Sequence, residues 1–255
     1  RSIGLGVMGF HSYLQYKNVP YESAIAKGIN KKIFAAIKET CDAHNIAVNK
    51  PCPMALRTGS NKRNIHCTAI APTMSISNLC NMTSSCTEPW LTNAFSKKLS
   101  QGTVPIQNKY LKAIIEKEAI KHCGELTEED WIDLQWTNIK KAEGSVMNLD
   151  WMDQWTKEVF KTAFEIDQRW IVSMAGDRAP YIDQAQSTNI FIPGGSHVQT
   201  IADIHILAWV TGNKSLYYLK SSAKFRASTF SNERKTINTN ESLEDMMKDT
   251  CVGCA

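Results

Sequence analysis

Arg63-Asn64-Ile65-His66-Cys67-Thr68-Ala69-Ile70-Ala71-Pro72-Thr73-Met74-Ser75-Ile76-Ser77 decides the architecture of this chain. Residues 65–71 are short and mostly apolar, and Pro72 stops them. That is the pattern of a strand buried on both faces in a parallel sheet. Small hydroxyl residues follow directly, at a place where the N–H groups of a following helix start are left free. Two readings fit them. Such a place holds an anion well, whereas Ser and Thr after Pro are also the ordinary way to cap a helix, the commoner use on composition alone.

The surrounding sequence supplies the helices that a parallel sheet needs. Ile25, Ile29, Ile33, Ile37 and Cys41 recur every four residues with Lys27, Lys31, Lys38 and Asp42 between them, which predicts a helix over 21–47 ended by Pro51 and Pro53. Further helices are predicted at 108–122 and at 127–142, the second opened by Thr127-Glu128-Glu129-Asp130. A longer one is predicted from Asp153 to Ala175, with Phe160, Ala163, Phe164, Trp170 and Met174 on its apolar face. Thr188–Ile192 reads as a strand, Pro193-Gly194-Gly195 as a turn, Gln199–Thr211 as a helix and Lys214–Lys220 as a strand. Strands alternating with helices define an α/β fold with parallel strands.

The 255 residues are 43% hydrophobic, enough for a substantial core. No run of 18 or more apolar residues and no leading signal segment is present, so the expectation is a cytoplasmic protein with no membrane span. The chain does not begin with Met, and RSIGLGVMGF reads as the interior of something longer. Residues 226–255 hold 4 Lys and Arg against 5 Asp and Glu, leaving 25 basic and 20 acidic residues in the body. That mild surplus suits anionic small molecules and does not call for nucleic acid. Eight cysteines without a signal segment indicate reduced thiols.

Two domains are expected: an α/β body over 1–225 and a flexible tail over 226–255. The tail is rich in Ser, Thr, Asn and charge and lacks apolar periodicity. About 25 such residues reach roughly 25–30 Å. At its end Cys251-Val252-Gly253-Cys254 sets two thiols three positions apart, which suits redox shuttling. Half of a zinc site or two incidental thiols are the competing readings, and no second C-x-x-C or H-x3-5-H accompanies the pair.

Other candidates carry less. Tyr217-Tyr218 falls in the predicted 214–220 strand, where β propensity alone favours tyrosine and strict alternation points the two rings apart. Stacked rings would require a local twist or bend. His205 reads as a packed or capped helix residue, and Cys80 and Cys86 flank a polar loop with no histidine cluster beside them. Asp183 reads as a buried hydrogen-bonding carboxylate or a turn residue.

Together RSIGLGVMGF, RNIHCTAIAPTMSIS, Thr87-Glu88-Pro89-Trp90, EIDQRWIVSMAGDRAPYIDQAQSTNIFIP, Leu216-Tyr217-Tyr218 and the terminal cysteine pair resemble, in order, the large catalytic α subunit of aerobic ribonucleoside-diphosphate reductase. The resemblance implies the second half of a ten-stranded α/β barrel plus a flexible C-terminal tail. It implies that Thr73, Met74, Ser75 and Ile76 bind the phosphates of ribonucleoside diphosphates and that Tyr217 and Tyr218 pass a radical. It also implies that Cys251 and Cys254 reduce the active-site disulfide and are in turn reduced by thioredoxin or glutaredoxin. The partners so implied are the N-terminal part of the same large subunit and a small subunit that carries the metal and radical cofactor, with none bound by this chain. Met74 departs from the acidic or small residue often found there. Cys86-Thr87-Glu88-Pro89 replaces the usual Gly-Ile-Glu-Pro with one extra residue before it. The thiyl cysteine, the active-site reducing pair and the effector sites of the family lie in segments that would precede Arg1, so the resemblance implies half an enzyme, from an excised fragment or a split gene. A non-catalytic phosphate-binding or scaffold module is the alternative. A free-standing disulfide oxidoreductase would set its C-x-x-C at a helix start, which this tail does not provide.

Overall fold

Ser2–Leu5 (β1) and His66–Thr68 (β2) pair in parallel, so the strand read from residues 65–71 exists, shortened at both ends. The computed structural model describes residues 1–46, 50–99 and 102–222. Between β1 and β2 lie helices α1 (Phe10–Tyr16), α2 (Ala24–Ile46) and α3 (Pro53–Arg57). After β2 come α4 (Met74–Leu79), the antiparallel hairpin β3 (Ala94–Leu99) and β4 (Gly102–Gln107), and helices α5 (Lys109–His122), α6 (Glu128–Lys141), α7 (Gln154–Val159) and α8 (Gln168–Arg178). β5 (Ile190–Ile192), α9 (Val198–Val210) and β6 (Leu219–Ser221) complete the described elements.

β5 and β6 also pair in parallel, and a parallel bridge from Ile70 to Gln186 joins the end of the β2 segment to the approach to β5. The class is therefore α/β, with helical crossovers between parallel strands. The described residues form an open row of short parallel ladders and do not themselves close a barrel.

Apolar clusters hold the layers. Phe10, Leu14, Tyr21, Ile171, Met174 and Phe191 fasten α1 and α8 to the strands. Val172, Ile190, Ile192, Ile204 and Ala208 pack α9 on the other side of α8 and β5. A third cluster, including Leu111, Ile115, Trp131 and Ile139, binds α5 to α6 and to the hairpin. Gly176 allows α8 and α9 to approach: a Cβ there would stand 2.7 Å from Thr211 Cβ.

Several elements depart from the sequence reading. The long helix predicted from Asp153 is two, α7 and α8. The Ala163 N–H turns away to the Trp90 carbonyl at 2.7 Å, and Asp167 then caps α8 by accepting the Arg169 N–H at 2.9 Å. In α2 the buried row is Ala26, Asn30 and Phe34, while Ile29, Ile33 and Ile37 flank it and Ile25 is exposed. The strand predicted over Lys214–Lys220 is observed only as β6, Leu219–Ser221, while the Lys214 ammonium donates to the carbonyls of Ile182, Asp183 and Gln184. By contrast α6 begins as expected, with Thr127 Oγ1 accepting the Asp130 N–H at 3.1 Å. The tail over 226–255, Cys251 and Cys254 included, lies outside the described residues.

Candidate functional site

The chain leaves β2 through Pro72 and turns sharply at Thr73, whose φ of 54° is left-handed, before entering α4. The Thr73 hydroxyl does not cap α4. Its Oγ1 accepts the Cys86 N–H at 2.7 Å, tying the start of α4 to the loop that follows it. Met74, Ser75 and Ile76 make the first turn and are exposed. First-turn N–H groups have no intrahelical partner, so they are available to an anion.

The 84–90 loop behind α4 is fixed from α1 and its N-cap. Gly9 N–H reaches Ser84 O at 2.9 Å, Ser84 N–H reaches Ser12 Oγ at 2.8 Å, and Trp90 N–H reaches His11 Nδ1 at 2.9 Å. Burial pushes His11 down to about 3, so its ring is neutral and can accept at Nδ1. Burial raises the Cys86 thiol to about 11, which leaves it protonated and inert. Glu88, 7% exposed, is raised by burial and partly held down by the positive charges of Lys220 and Arg178 and by hydrogen bonding to Asn189.

Arg178 is fully buried beneath this loop, its Nε donating to Gln186 Oε1 at 2.6 Å. In front of it opens a cavity of about 670 Å³ whose walls include Met74, Ser77, Glu88, Trp90, Phe95 and Lys220. One wall is the side of α4, and another is β6. The expected phosphate segment and the strand that follows the tyrosine pair therefore border one space.

Tyr217 and Tyr218 lie just ahead of β6 rather than within it, and their ring centroids are 4.1 Å apart with a 51° angle between planes. The alternation that would have parted them is broken by their hydrogen bonds. Tyr217 N–H donates to Thr188 O at 2.8 Å and Tyr218 O accepts Ile190 N–H at 2.8 Å, but Tyr218 N–H goes to the side-chain Asn189 Oδ1 at 2.9 Å. The N–H groups of two consecutive residues thus both turn toward the 188–190 segment, which the regular alternation of a strand does not allow. Tyr217 is half exposed.

The remaining candidates resolve as structural. Asp183 accepts from Lys38 Nζ at 2.8 Å, from Cys67 N–H at 2.7 Å and from Thr68 N–H at 3.2 Å. Burial acts to raise it, but the Lys38 ammonium and these N–H groups prevail and hold it down at about 2. His205 is exposed on α9, its Nδ1 2.7 Å from Ile201 O. Cys80 is exposed and Cys86 buried, and among the described residues no cluster of three His, Cys, Asp or Glu could hold a metal. Among the described residues no helix is long and apolar enough to cross a membrane. Sequence reasoning quoted Glu88 and Asn189 only inside longer motifs and passed over Lys220. The signal available was the unbroken polar run Gln186–Asn189 beside an apolar strand.

Short parallel ladders crossed by helices, with a short helix start and the strand that follows a tyrosine pair bordering one cavity, define an α/β fold with its candidate site at one end of the strands. The chain belongs to the ribonucleotide reductase barrel-domain family: the family described as "Ribonucleotide reductase, barrel domain" matches residues 1–52 and 54–219. It is 35% identical to the ribonucleoside-diphosphate reductase large subunit of invertebrate iridescent virus 6, over 97% of this chain and 26% of that protein. It is 34% identical to the large subunit of invertebrate iridescent virus 3, over 100% of this chain and 38% of that protein. The solved structure of the class Id ribonucleotide reductase alpha subunit of Actinobacillus ureae superposes with a TM-score of 0.70 at 32% identity, covering 87% of this chain and 39% of that one. The chain thus spans about a quarter to two-fifths of the length of these relatives.

Proposed function

We propose that this chain supplies the phosphate cradle and the last radical-relay step of a ribonucleoside-diphosphate reductase large subunit, as the second half of its ten-stranded barrel. It works with the N-terminal part of that subunit and with a radical-bearing small subunit. The observation that carries the reading is the 4.1 Å contact between the Tyr217 and Tyr218 rings, on a strand whose continuation, Lys220, borders the same cavity as α4. In the relay, one tyrosyl radical takes an electron and a proton from the neighbouring phenol, becoming a phenol itself as the neighbour becomes the radical. Rings in contact suit that exchange. The small subunit's metal and radical cofactor supplies the oxidising equivalent.

Thr73, Met74, Ser75 and Ile76 receive the substrate diphosphate through the free first-turn N–H groups and the Ser75 hydroxyl. Cys251 and Cys254 regenerate the active site by exchange: their two thiols become a disulfide as the active-site disulfide becomes two thiols. Thioredoxin or glutaredoxin then reduces the tail.

The test is reconstitution. The purified chain alone should make no deoxyribonucleotide, and mixing it with a chain carrying the remaining barrel half and with the small subunit should restore reduction. Tyr217→Phe and Tyr218→Phe should each abolish turnover while assembly and substrate binding persist, since phenylalanine keeps the ring and has no phenolic proton. Turnover by the chain alone, or near-normal activity of both variants, would refute the proposal.

A further inference from the structure

Three aromatic side chains stand exposed on one stretch of surface made by α1, the start of α5 and α7: Tyr13 is 42% exposed, Tyr16 65% and Trp155 49%. Two lysines lean on this group. The Lys17 ammonium lies 5.1 Å from the centre of the Tyr16 ring and 5.8 Å from that of Tyr13, and the Lys109 ammonium lies 5.2 Å from the centre of Tyr110. Tyr16 and Tyr110 join the two halves, their ring centroids 6.2 Å apart, and Trp155 Nε1 donates to Asn18 O at 3.0 Å beside Lys17. The carboxylates of the same three helices are engaged elsewhere: Glu116 with Lys112, Glu118 with Lys121 and Glu158 with Lys161, while Asp153 caps α7. Among the described residues neither Lys17 nor Lys109 forms an ion pair. A cation held over a ring with no carboxylate to neutralise it is open to an anion, and exposed rings beside it are open to apolar side chains.

The patch is fastened to the wall of the large cavity. Asn108, the cap of α5 directly before Lys109, donates to the Oε1 of Gln15, directly before Tyr16, at 3.0 Å and to Asn93 Oδ1 at 2.9 Å. Asn93 stands between Thr92 and Ala94, both of which line the cavity of about 670 Å³, and Ser222 lines it too. The described residues end at Ser222, so the rest of the chain sets out from a point near the patch. Eighteen residues separate Ser222 from Glu241, and a coil of that length spans about 20–25 Å. From Glu241 to Asp249 the sequence reads ESLEDMMKD: it holds four of the five acidic residues of 226–255 against one lysine, with Leu243, Met246 and Met247 among them. Carboxylates for the lysines and thioethers for the ring faces are what the patch lacks.

We propose that Glu241–Asp249 docks on the α1–α5 aromatic patch of its own chain, its carboxylates on Lys17 and Lys109 and its methionines on Tyr13, Tyr16 and Trp155. Tethering supplies an effective concentration in the millimolar range, so contacts too weak to hold a separate peptide suffice to hold this one. The docked segment ends two residues short of Cys251 and keeps the cysteine pair at the outer surface, where an external reductant meets it. That consequence rests on reading the pair as a shuttle; the docking itself does not.

The experiment treats the 255-residue chain with a water-soluble carbodiimide, which condenses a carboxylate with an ammonium only when the two are in contact, and maps the linked peptides by mass spectrometry. Links should join Glu241, Glu244 or Asp245 to Lys17 or Lys109. Their yield should be independent of protein concentration and should fall at least fivefold between ~0.02 M and ~0.5 M salt. Tyr16→Ala should lower it at least threefold, and so should Met246→Ser with Met247→Ser, although both variants keep every reacting carboxylate and lysine. Tyr16 is exposed and the methionines lie outside the body, so lost folding does not imitate the result. Links scattered over the other exposed lysines, or a yield indifferent to the ring and methionine variants, would overturn the docking. A yield that rises with protein concentration would overturn it in favour of a contact between two copies. None of these failures touches the shuttle, which thioredoxin-driven turnover of the Cys251 and Cys254 variants tests separately.

Discussion

Removing the Asp183 carboxylate should loosen the strand that leads into α4. Asp183 joins α2 to β2: it takes the Lys38 ammonium at 2.8 Å and the backbone N–H groups of Cys67 at 2.7 Å and Thr68 at 3.2 Å. Cys67 and Thr68 are 3% and 0% exposed, so their N–H groups have no water to turn to. Lys38 keeps a second partner in Asp42 at 3.0 Å, which limits the loss on that side. Hydrogen bonds to a charged group contribute about 1.5–3 kcal/mol each, so Asp183→Ala should cost about 3 kcal/mol and Asp183→Asn about half as much. The pH dependence gives an independent check. Asp183 is held down to about 2, and a displacement of that size from the ordinary carboxylate range corresponds to roughly 2 kcal/mol, less some screening because the side chain is one-fifth exposed. Its folded pKa is depressed, so the contribution is fully present above the unfolded value near 4 and is lost as pH falls through about 2. Urea unfolding of the parent and Asp183→Asn at neutral pH and again near pH 2 measures both quantities. The gap between them should shrink on acidification. A cost for Asp183→Ala under about 1 kcal/mol at neutral pH, or a gap indifferent to pH, would show that Asp183 does not fasten β2.

Two further outcomes test the site. Ser75→Ala should weaken diphosphate binding in the assembled enzyme by about 0.5–1.5 kcal/mol, whereas Thr73→Ser, which keeps the oxygen that accepts the Cys86 N–H, should leave it nearly unchanged; unchanged affinity in Ser75→Ala would return that hydroxyl to a structural role. Cys251→Ser or Cys254→Ser should spare a single turnover of a pre-reduced complex and stop thioredoxin-driven multiple turnover, with partial rescue by a small dithiol; sustained thioredoxin-driven turnover in the double variant would rule out the shuttle.

What the sequence made legible follows the range of the forces involved. Helices α5 and α6 are readable because their caps, Asn108 and Thr127, act within three residues. The break between α7 and α8 is not, because it depends on Trp90 taking an N–H from a residue far along the chain. The hairpin of β3 and β4 was missed for a different reason: Ala94-Phe95-Ser96-Lys97-Lys98-Leu99 lacks the clean alternation that marks a strand. The site divides in the same way. The order of motifs pointed to Thr73–Ile76 and to Tyr217–Tyr218. Strict alternation predicts parted rings, whereas the structure has them in contact, with the Tyr218 N–H held by an asparagine 29 positions away. Local pattern could not show that, yet composition held a trace of it. A strand with Asn189 beside Ile190, Phe191 and Ile192 cannot bury its amide without a partner, so a polar run leading into a buried strand is itself a statement that hydrogen-bonding groups wait on the neighbouring elements. In this chain those groups are Arg178, Glu88 and the Tyr218 backbone, drawn from three separate stretches of the chain.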